Sequence, residues 1–184
     1  MPYEIERKYL VRDDSWRASG CPALTVRQAY LASNFTTTRI RIIDDARAFL
    51  TIKSAVSGIR RLEFEYEIPL NDAASLLELR ESGLIDKLRY RLPWNGLTWE
   101  IDVFHGDNHG LVIAEIELPH EHQAFIRPDW LGREVTSDRR YSNASLAATP
   151  FKKWPDSWRR VHLIEPGSGE QSCNGPALQV HRGR

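Results

Sequence analysis

The sequence predicts a mainly β (α+β) protein: an eight-stranded antiparallel closed β-barrel tunnel with a charged lumen and helices packed outside. Three observations predict it. Between Tyr3 and Leu118 apolar and polar residues alternate in short segments, the period of a strand with two unlike faces. Turn-forming residues separate these segments at nearly every junction. The polar face of each segment is charged, and on most segments the charge has one sign.

Taken in order, the predicted strands are Pro2–Val11, Thr25–Leu31, Thr38–Ile43, Ala48–Ser54, Arg61–Ile68, Ile85–Leu92, Leu97–Phe104 and Gly110–Leu118. Asp44-Asp45, Ser57-Gly58, Trp94-Asn95-Gly96 and Gly106-Asp107-Asn108 supply the turns, with Asn95-Gly96 the clearest hairpin signal. One helix is expected after the fifth strand, capped by Asp72, carrying Leu76, Leu77 and Leu79, and ended by Gly83. Beyond Pro119 the pattern changes to short helical turns at Glu121–Phe125 and Asp129–Leu131 and a helix at Ser142–Ala148. The expected division is one domain over 1–150, an extension over 151–165, and a disordered tail over 166–184 that is rich in Gly, Ser and Pro.

The 184 residues suffice for a single domain with a substantial core. Lys+Arg and Asp+Glu both total 25, and the zero net charge argues against a nucleic-acid surface, which normally carries a basic excess. No apolar run approaches the ~20 residues that span a bilayer, and the N-terminus lacks a signal-peptide pattern. Cys21 and Cys173 have no metal-ligand spacing and read as free thiols, so the expected location is cytoplasmic. The sequence leaves room for a homodimer.

The charged faces carry the functional argument. Side chains at i and i+2 share a face. Glu4, Glu6 and Lys8 lie opposite Tyr3, Ile5 and Tyr9; Arg39 and Arg41 lie opposite Ile40 and Ile42. Lys53 shares a face with Thr51. Glu63, Glu65 and Glu67 form a row, as do Lys87, Arg89 and Arg91; Glu100 pairs with Asp102, and Glu115 with Glu117. The ordinary explanation of alternation is a sheet with one wet face. Wet faces mix signs, however, because like charges at neighbouring positions repel. At ~4 Å two like charges cost about 4 kcal/mol at an effective dielectric near 20. A ligand that brings both signs, such as a metal–triphosphate complex, would relieve both sets. In a closed barrel the charges would point inward and the apolar faces outward, against helices.

The opening Glu4-Ile5-Glu6-Arg7-Lys8 resembles the ExExK signature of the CYTH domain, the triphosphate tunnel metalloenzymes. Arg39-x-Arg41, Thr51-Ile52-Lys53, Glu63-x-Glu65, Lys87-x-Arg89, Glu100-Ile101-Asp102 and Glu115-x-Glu117 follow in the same order, and Gly132–Thr136 with Tyr141-Ser142-Asn143 is similar to the end of the short bacterial members. The resemblance covers roughly 1–150. It implies that Lys8, Arg39, Arg41, Lys53, Lys87 and Arg89 grip a triphosphate. It also implies that Glu4, Glu6, Glu63, Glu65, Asp102, Glu115 and Glu117 hold Mg²⁺ or Mn²⁺ or orient water, hard oxygen donors suiting these ions. Lys8, Tyr30, Lys87 and Glu117 are the residues expected to act in the chemical step. Tyr30 shares a face with Gln28, beside Lys8, where a structural hydrogen bond is the commoner role. Glu67, Arg91 and Glu100 read equally well as rim ion pairs. The implied activity is hydrolysis of inorganic triphosphate to pyrophosphate and phosphate. Class IV adenylate cyclase, thiamine triphosphatase and a non-catalytic polyphosphate- or nucleotide-binding module are the alternatives.

Overall fold

The structure is a computed structural model and describes residues 3–33, 36–55 and 60–159. The Ser57-Gly58 turn, Cys173 and the expected 166–184 tail lie outside the described residues. Among the described residues nine strands form: β1 (Tyr3–Val11), β2 (Ala23–Ser33), β3 (Thr37–Ile43), β4 (Arg47–Lys53), β5 (Arg60–Ile68), β6 (Ile85–Trp94), β7 (Leu97–Phe104), β8 (Val112–Glu117) and β9 (Leu131–Glu134). The helices are α1 (Leu70–Leu77), α2 (Asn143–Ala148) and α3 (Asp156–Arg159).

The first eight strands close an antiparallel barrel in the order β5-β4-β3-β2-β6-β7-β8-β1, with β1 returning to β5. That closure is short. It consists of Tyr3↔Leu62, Glu4↔Arg61 and Ile5↔Arg60. The other end of the same β1 edge pairs with β9 through Tyr9↔Glu134 and Val11↔Leu131. The sequence reading placed Leu131 in a helical turn. It opens a strand instead, because β1 leaves hydrogen-bonding groups at its far end that β5 does not reach. Gly132 permits the approach, since a Cβ there would sit 2.9 Å from the Leu10 carbonyl oxygen. Glu121–Phe125 forms a turn and coil rather than a helix.

Two hairpins turn as their residues dictate. Asp44 and Asp45 both have φ 51°, and Asn95 and Gly96 have φ 47° and 80°, the left-handed pair that a tight hairpin requires. The helix α1 starts earlier than expected. Pro69 stands at its N-cap position without a capping side-chain bond, Asp72 lies in its first turn, and it ends at Leu77, so Leu79 projects into solvent. Gly83 has no capping role. Its N–H donates to the Ala147 carbonyl at 3.0 Å, and a Cβ would meet that oxygen at 2.9 Å; the glycine is there for contact with α2. Ser142 does cap α2, its hydroxyl accepting from the Ser145 N–H at 3.1 Å.

Three apolar clusters form, two outside the barrel and one within it. Ala29, Ile40, Ile42 and Ala48 on the outer wall pack under Ala73 and Leu77 of α1. On the opposite wall Ile5, Tyr9, Trp99, Ile101 and Ile116 are covered by Trp16, Phe125 and Trp130. The covering there is coil and a short 3₁₀ turn, not the expected helices. Trp99 stacks edge-to-face on Tyr9 and Trp130. It is fully buried outside the barrel, on the face opposite Glu100, so it cannot stack on a ligand in the lumen. The third cluster lies inside. Leu10, Tyr30, Ile85, Phe104 and Ile113 meet Tyr141, Leu146, Phe151 and Trp154. These five strand residues occupy inward positions, so the lumen is charged only over part of its length. The C-terminal helices stopper its apolar end instead of lining the outer wall. Among the described residues no helix is long and apolar enough to cross a membrane.

Candidate active site

The barrel encloses a cavity of about 1030 Å³. Its wall carries Glu4, Glu6, Lys8, Arg39, Arg41, Lys53, Arg61, Glu63, Glu65, Arg89, Glu100, Glu115 and Glu117. Strand parity explains the assembly: each residue sits at an inward position, two residues from the next on its own strand. Lys87 and Asp102 share the same parity but are buried beneath, with side chains 1% and 0% exposed. The predicted rows therefore meet on one inner wall, at two depths.

Bases and carboxylates interleave, so nearly every charge has a partner of opposite sign. Lys8 pairs with Glu6 and Glu115. Lys53 pairs with Glu4 and Glu63, each at 3.0 Å. Arg41 pairs with Glu65 at 2.7 Å, and Arg39 with Glu65 at 3.2 Å. Lys87 donates to Asp102. Arg89 donates to both Asp102 oxygens at 2.7 Å, to Glu115 at 2.8 Å, and to Glu100. Arg61 donates to Glu4 at 2.6 Å and to Glu6 at 3.4 Å. Arg61 was missed in the sequence reading. The signal was present, because Arg61-x-Glu63-x-Glu65 puts it on the same face of β5 as the two glutamates.

Of the three residues that read equally well as rim pairs, Glu67 lies off the cavity, whereas Arg91 and Glu100 both line it. Glu67 pairs with Arg47 at 2.9 Å, both well exposed. Arg91 is mostly exposed and meets Glu100 at 3.3 Å. Tyr30 lines the deep end and accepts a hydrogen bond from Gln28 Nε2 at 3.0 Å. A further set could not be read from the strands: Arg139 and Ser142–Ser145 line the cavity from the C-terminal segment. Only tertiary folding brings that segment to the barrel end.

Mutual burial shifts the titration of these groups. Burial, with Glu115 and Glu4 nearby, outweighs Lys8 and pushes Glu6 up to about 7. Burial also raises Glu117, together with Glu4, Glu63 and Glu100. For Glu115 burial is outweighed by Lys8 and Arg89, which hold it well below the ordinary range. Burial and the Arg89 charge lower Lys87 to about 8. Burial and Arg39 lower Arg41 to about 10. Lys8 is the reverse case: Glu115 and Glu6 overcome burial and keep it protonated.

The lumen carboxylates have the donor chemistry for a hard divalent cation. Among the described residues no three of them stand together as a ready cage, because all but Glu117 are drawn onto Lys or Arg. Glu117 has no ion-pair partner among the described residues, and it faces Glu4, Glu63 and Glu100. Lys53 offsets part of that repulsion, and Glu4, Glu63 and Glu100 are already paired with bases, so Glu117 is the carboxylate of that corner which a cation would neutralise. The residues present fit such an ion.

An antiparallel barrel with a lumen of alternating bases and carboxylates is a device for holding a polyanion together with cations. The chain belongs to the CYTH domain family, whose pattern it matches over residues 2–150. It is 46% identical over 158 residues to an inorganic triphosphatase of Acetivibrio thermocellus, covering 85% of this chain and 100% of that one. An inorganic triphosphatase of Nitrosomonas europaea is 37% identical over 149 residues, covering 78% and 96%. Among solved structures, the crystal structure of an inorganic triphosphatase superposes with a TM-score of 0.57 at 35% identity, covering 80% of this chain and 95% of that one.

Proposed function

We propose that this protein hydrolyses inorganic triphosphate to pyrophosphate and phosphate with the help of Mg²⁺ or Mn²⁺. The observation that carries the proposal is the interleaved lumen, in a chain 46% identical to a relative named as an inorganic triphosphatase. Lys8, Arg39, Arg41, Lys53 and Arg89, joined by Arg61, bind phosphate oxygens, charge-assisted hydrogen bonds of this kind being the strong ones; Lys87, expected among them, is buried on Asp102 and shares that carboxylate with Arg89 beneath the wall. Phosphoryl transfer needs mainly positioning and charge stabilisation, and a wall of fixed cations provides both. Carboxylates drawn from Glu4, Glu6, Glu63, Glu65, Glu115 and Glu117 would hold a divalent ion, which would further neutralise phosphate-oxygen charge; Asp102, expected among them, is fully buried with its oxygens on Arg89 and Lys87 and stays their counter-ion.

In the step itself water attacks the terminal phosphorus, the P–O anhydride bond breaks, and pyrophosphate leaves. Glu117, with its raised pKa and no ion-pair partner among the described residues, is placed to accept the proton of that water. Lys8 stays protonated and stabilises charge on the departing group. Lys87 is the lysine nearest to sharing its proton at neutral pH. Tyr30 positions the deep end through Gln28. Glu6→Ala or Glu117→Ala abolishes turnover and leaves the barrel folded; unchanged activity in both removes the carboxylate assignment.

The discriminating assay measures phosphate and pyrophosphate release from inorganic triphosphate, ATP and thiamine triphosphate, with Mg²⁺, Mn²⁺ or EDTA. Cyclic AMP from ATP would replace the hydrolase reading with a cyclase. Supporting a homodimer, Ile52, Phe64 and Tyr66 form an exposed apolar stripe on the outer face of β4 and β5. Light scattering that gives a monomer at micromolar concentration would remove it.

A further inference from the structure

The lumen bases are not equally satisfied. Arg89 spreads its donors over Asp102, Glu115 and Glu100. Arg39 and Arg41 do less well, since the Nε of each is buried without an acceptor. Arg41 has one ion-pair partner among the described residues, Glu65. The same Glu65 oxygen accepts from Arg41 at 2.7 Å, Arg39 at 3.2 Å and Thr51 Oγ1 at 2.8 Å. A single carboxylate therefore stands between two arginines where a more highly charged anion would offer more acceptors.

The carboxylates also differ in how readily they can leave. The Asp102 side chain is 0% exposed and that of Glu115 9%. Taking a partner from either strands a buried charge. The Glu65 side chain is 30% exposed, so it can turn away and remain solvated or take another partner. Bare triphosphate must break the Glu65 contacts and leave that carboxylate facing the incoming negative charge. A divalent cation that takes Glu65 by itself leaves Arg41 without its ion-pair partner and Arg39 with the longer Glu63 contact at 3.7 Å. Joint arrival satisfies all three.

We propose that Glu65 is an internal competitor of the substrate: it occupies the Arg39–Arg41 pair until a divalent cation draws it off, so that cation and polyphosphate bind as a thermodynamically coupled pair. The inference rests on triphosphate being the ligand of this lumen. Coupling of this kind is reciprocal: each ligand strengthens the other by the same factor.

Calorimetric titration of inorganic triphosphate into wild-type protein and Glu65→Gln, in EDTA and in Ca²⁺ as a cation probe, tests it. In EDTA the glutamine variant binds triphosphate about ten- to a hundredfold more tightly than wild type, the worth of a charge-assisted contact. Cation tightens wild-type binding by a larger factor than it tightens the variant. Equal affinities in EDTA, with wild type tightened by cation, would overturn the Glu65 role and leave the triphosphatase reading intact. Wild type that binds no triphosphate under either condition would overturn both. Glu65→Ala and the thermal shift induced by triphosphate in EDTA repeat the comparison should the glutamine variant fold poorly; the same ordering is expected.

Discussion

Asp102 and Glu65 have the same chemistry and opposite situations. Asp102 holds Lys87 and Arg89 from a fully buried position, which makes it a fixed counter-ion. Breaking a buried pair from one side costs about 3–5 kcal/mol, because the partner charge is left uncompensated. Asp102→Asn is therefore expected to lose about that much stability at neutral pH, read as a lowered urea midpoint. An unchanged midpoint would mean that Lys87 sheds its proton at little cost. Arg61 makes the second residue-scale prediction. It holds Glu4 and Glu6 and lines the cavity, so Arg61→Ala raises KM for triphosphate about tenfold or more. Kinetics indistinguishable from wild type would return Arg61 to a structural role.

At the scale of elements, β9 and α2 decide what the barrel is. Eight strands closed on themselves would give a charged tube. The β9 strand takes up the end of β1 that β5 does not reach, and α2 with the residues around it closes the apolar end of the lumen. Gly132→Ala tests the first of these contacts. Its Cβ would come within 2.9 Å of the Leu10 carbonyl oxygen, and backbone must move to admit it. Overpacking of this kind costs about 1–3 kcal/mol, so the melting temperature falls; a neutral substitution would show that β9 docks loosely. The turn at Asn95-Gly96 and the helix near Ser142–Ala148 were readable because they depend on neighbours in sequence. β9 was not readable. Four residues with no clear alternation became a strand because β1 offered them unpaired groups.

For the molecule as a whole, the lumen acts as one coupled titrating body. Glu4 and Glu115 are held below the ordinary glutamate value because basic partners outweigh their burial. Their stabilisation is present above 4.5 and is lost as pH falls through their folded values. Glu6 has the opposite sign. Its folded value of about 7 lies above the ordinary 4.5, so its contribution is complete below 4.5 and is lost as pH rises through 7. Cation-free protein is therefore expected to be most stable near pH 4.5 and to lose stability on either side. Thermal melts in EDTA across pH 3 to 8 check this, and a melting temperature that climbs steadily to neutrality would contradict the Glu6 assignment.

Most of the site was legible because strand parity is a local rule. Once Glu4, Lys8, Arg39, Lys53, Glu63, Lys87, Asp102 and Glu115 are on strands, alternation alone decides which side they share. The single-signed rows show that this side needs a partner of mixed charge. By itself, then, the sequence determined the eight barrel strands, the Asn95-Gly96 hairpin, the charged face and the family. Tertiary structure decided the rest: which base meets which acid, that Glu117 is left without one, that Asp102 is deep and Glu65 near solvent, and that one end of the lumen is apolar and stoppered. Those outcomes depend on register between strands distant in sequence and on a C-terminal segment folding back over the barrel. No local pattern encodes either, because the energies involved come from burial and ion pairing across the closed barrel.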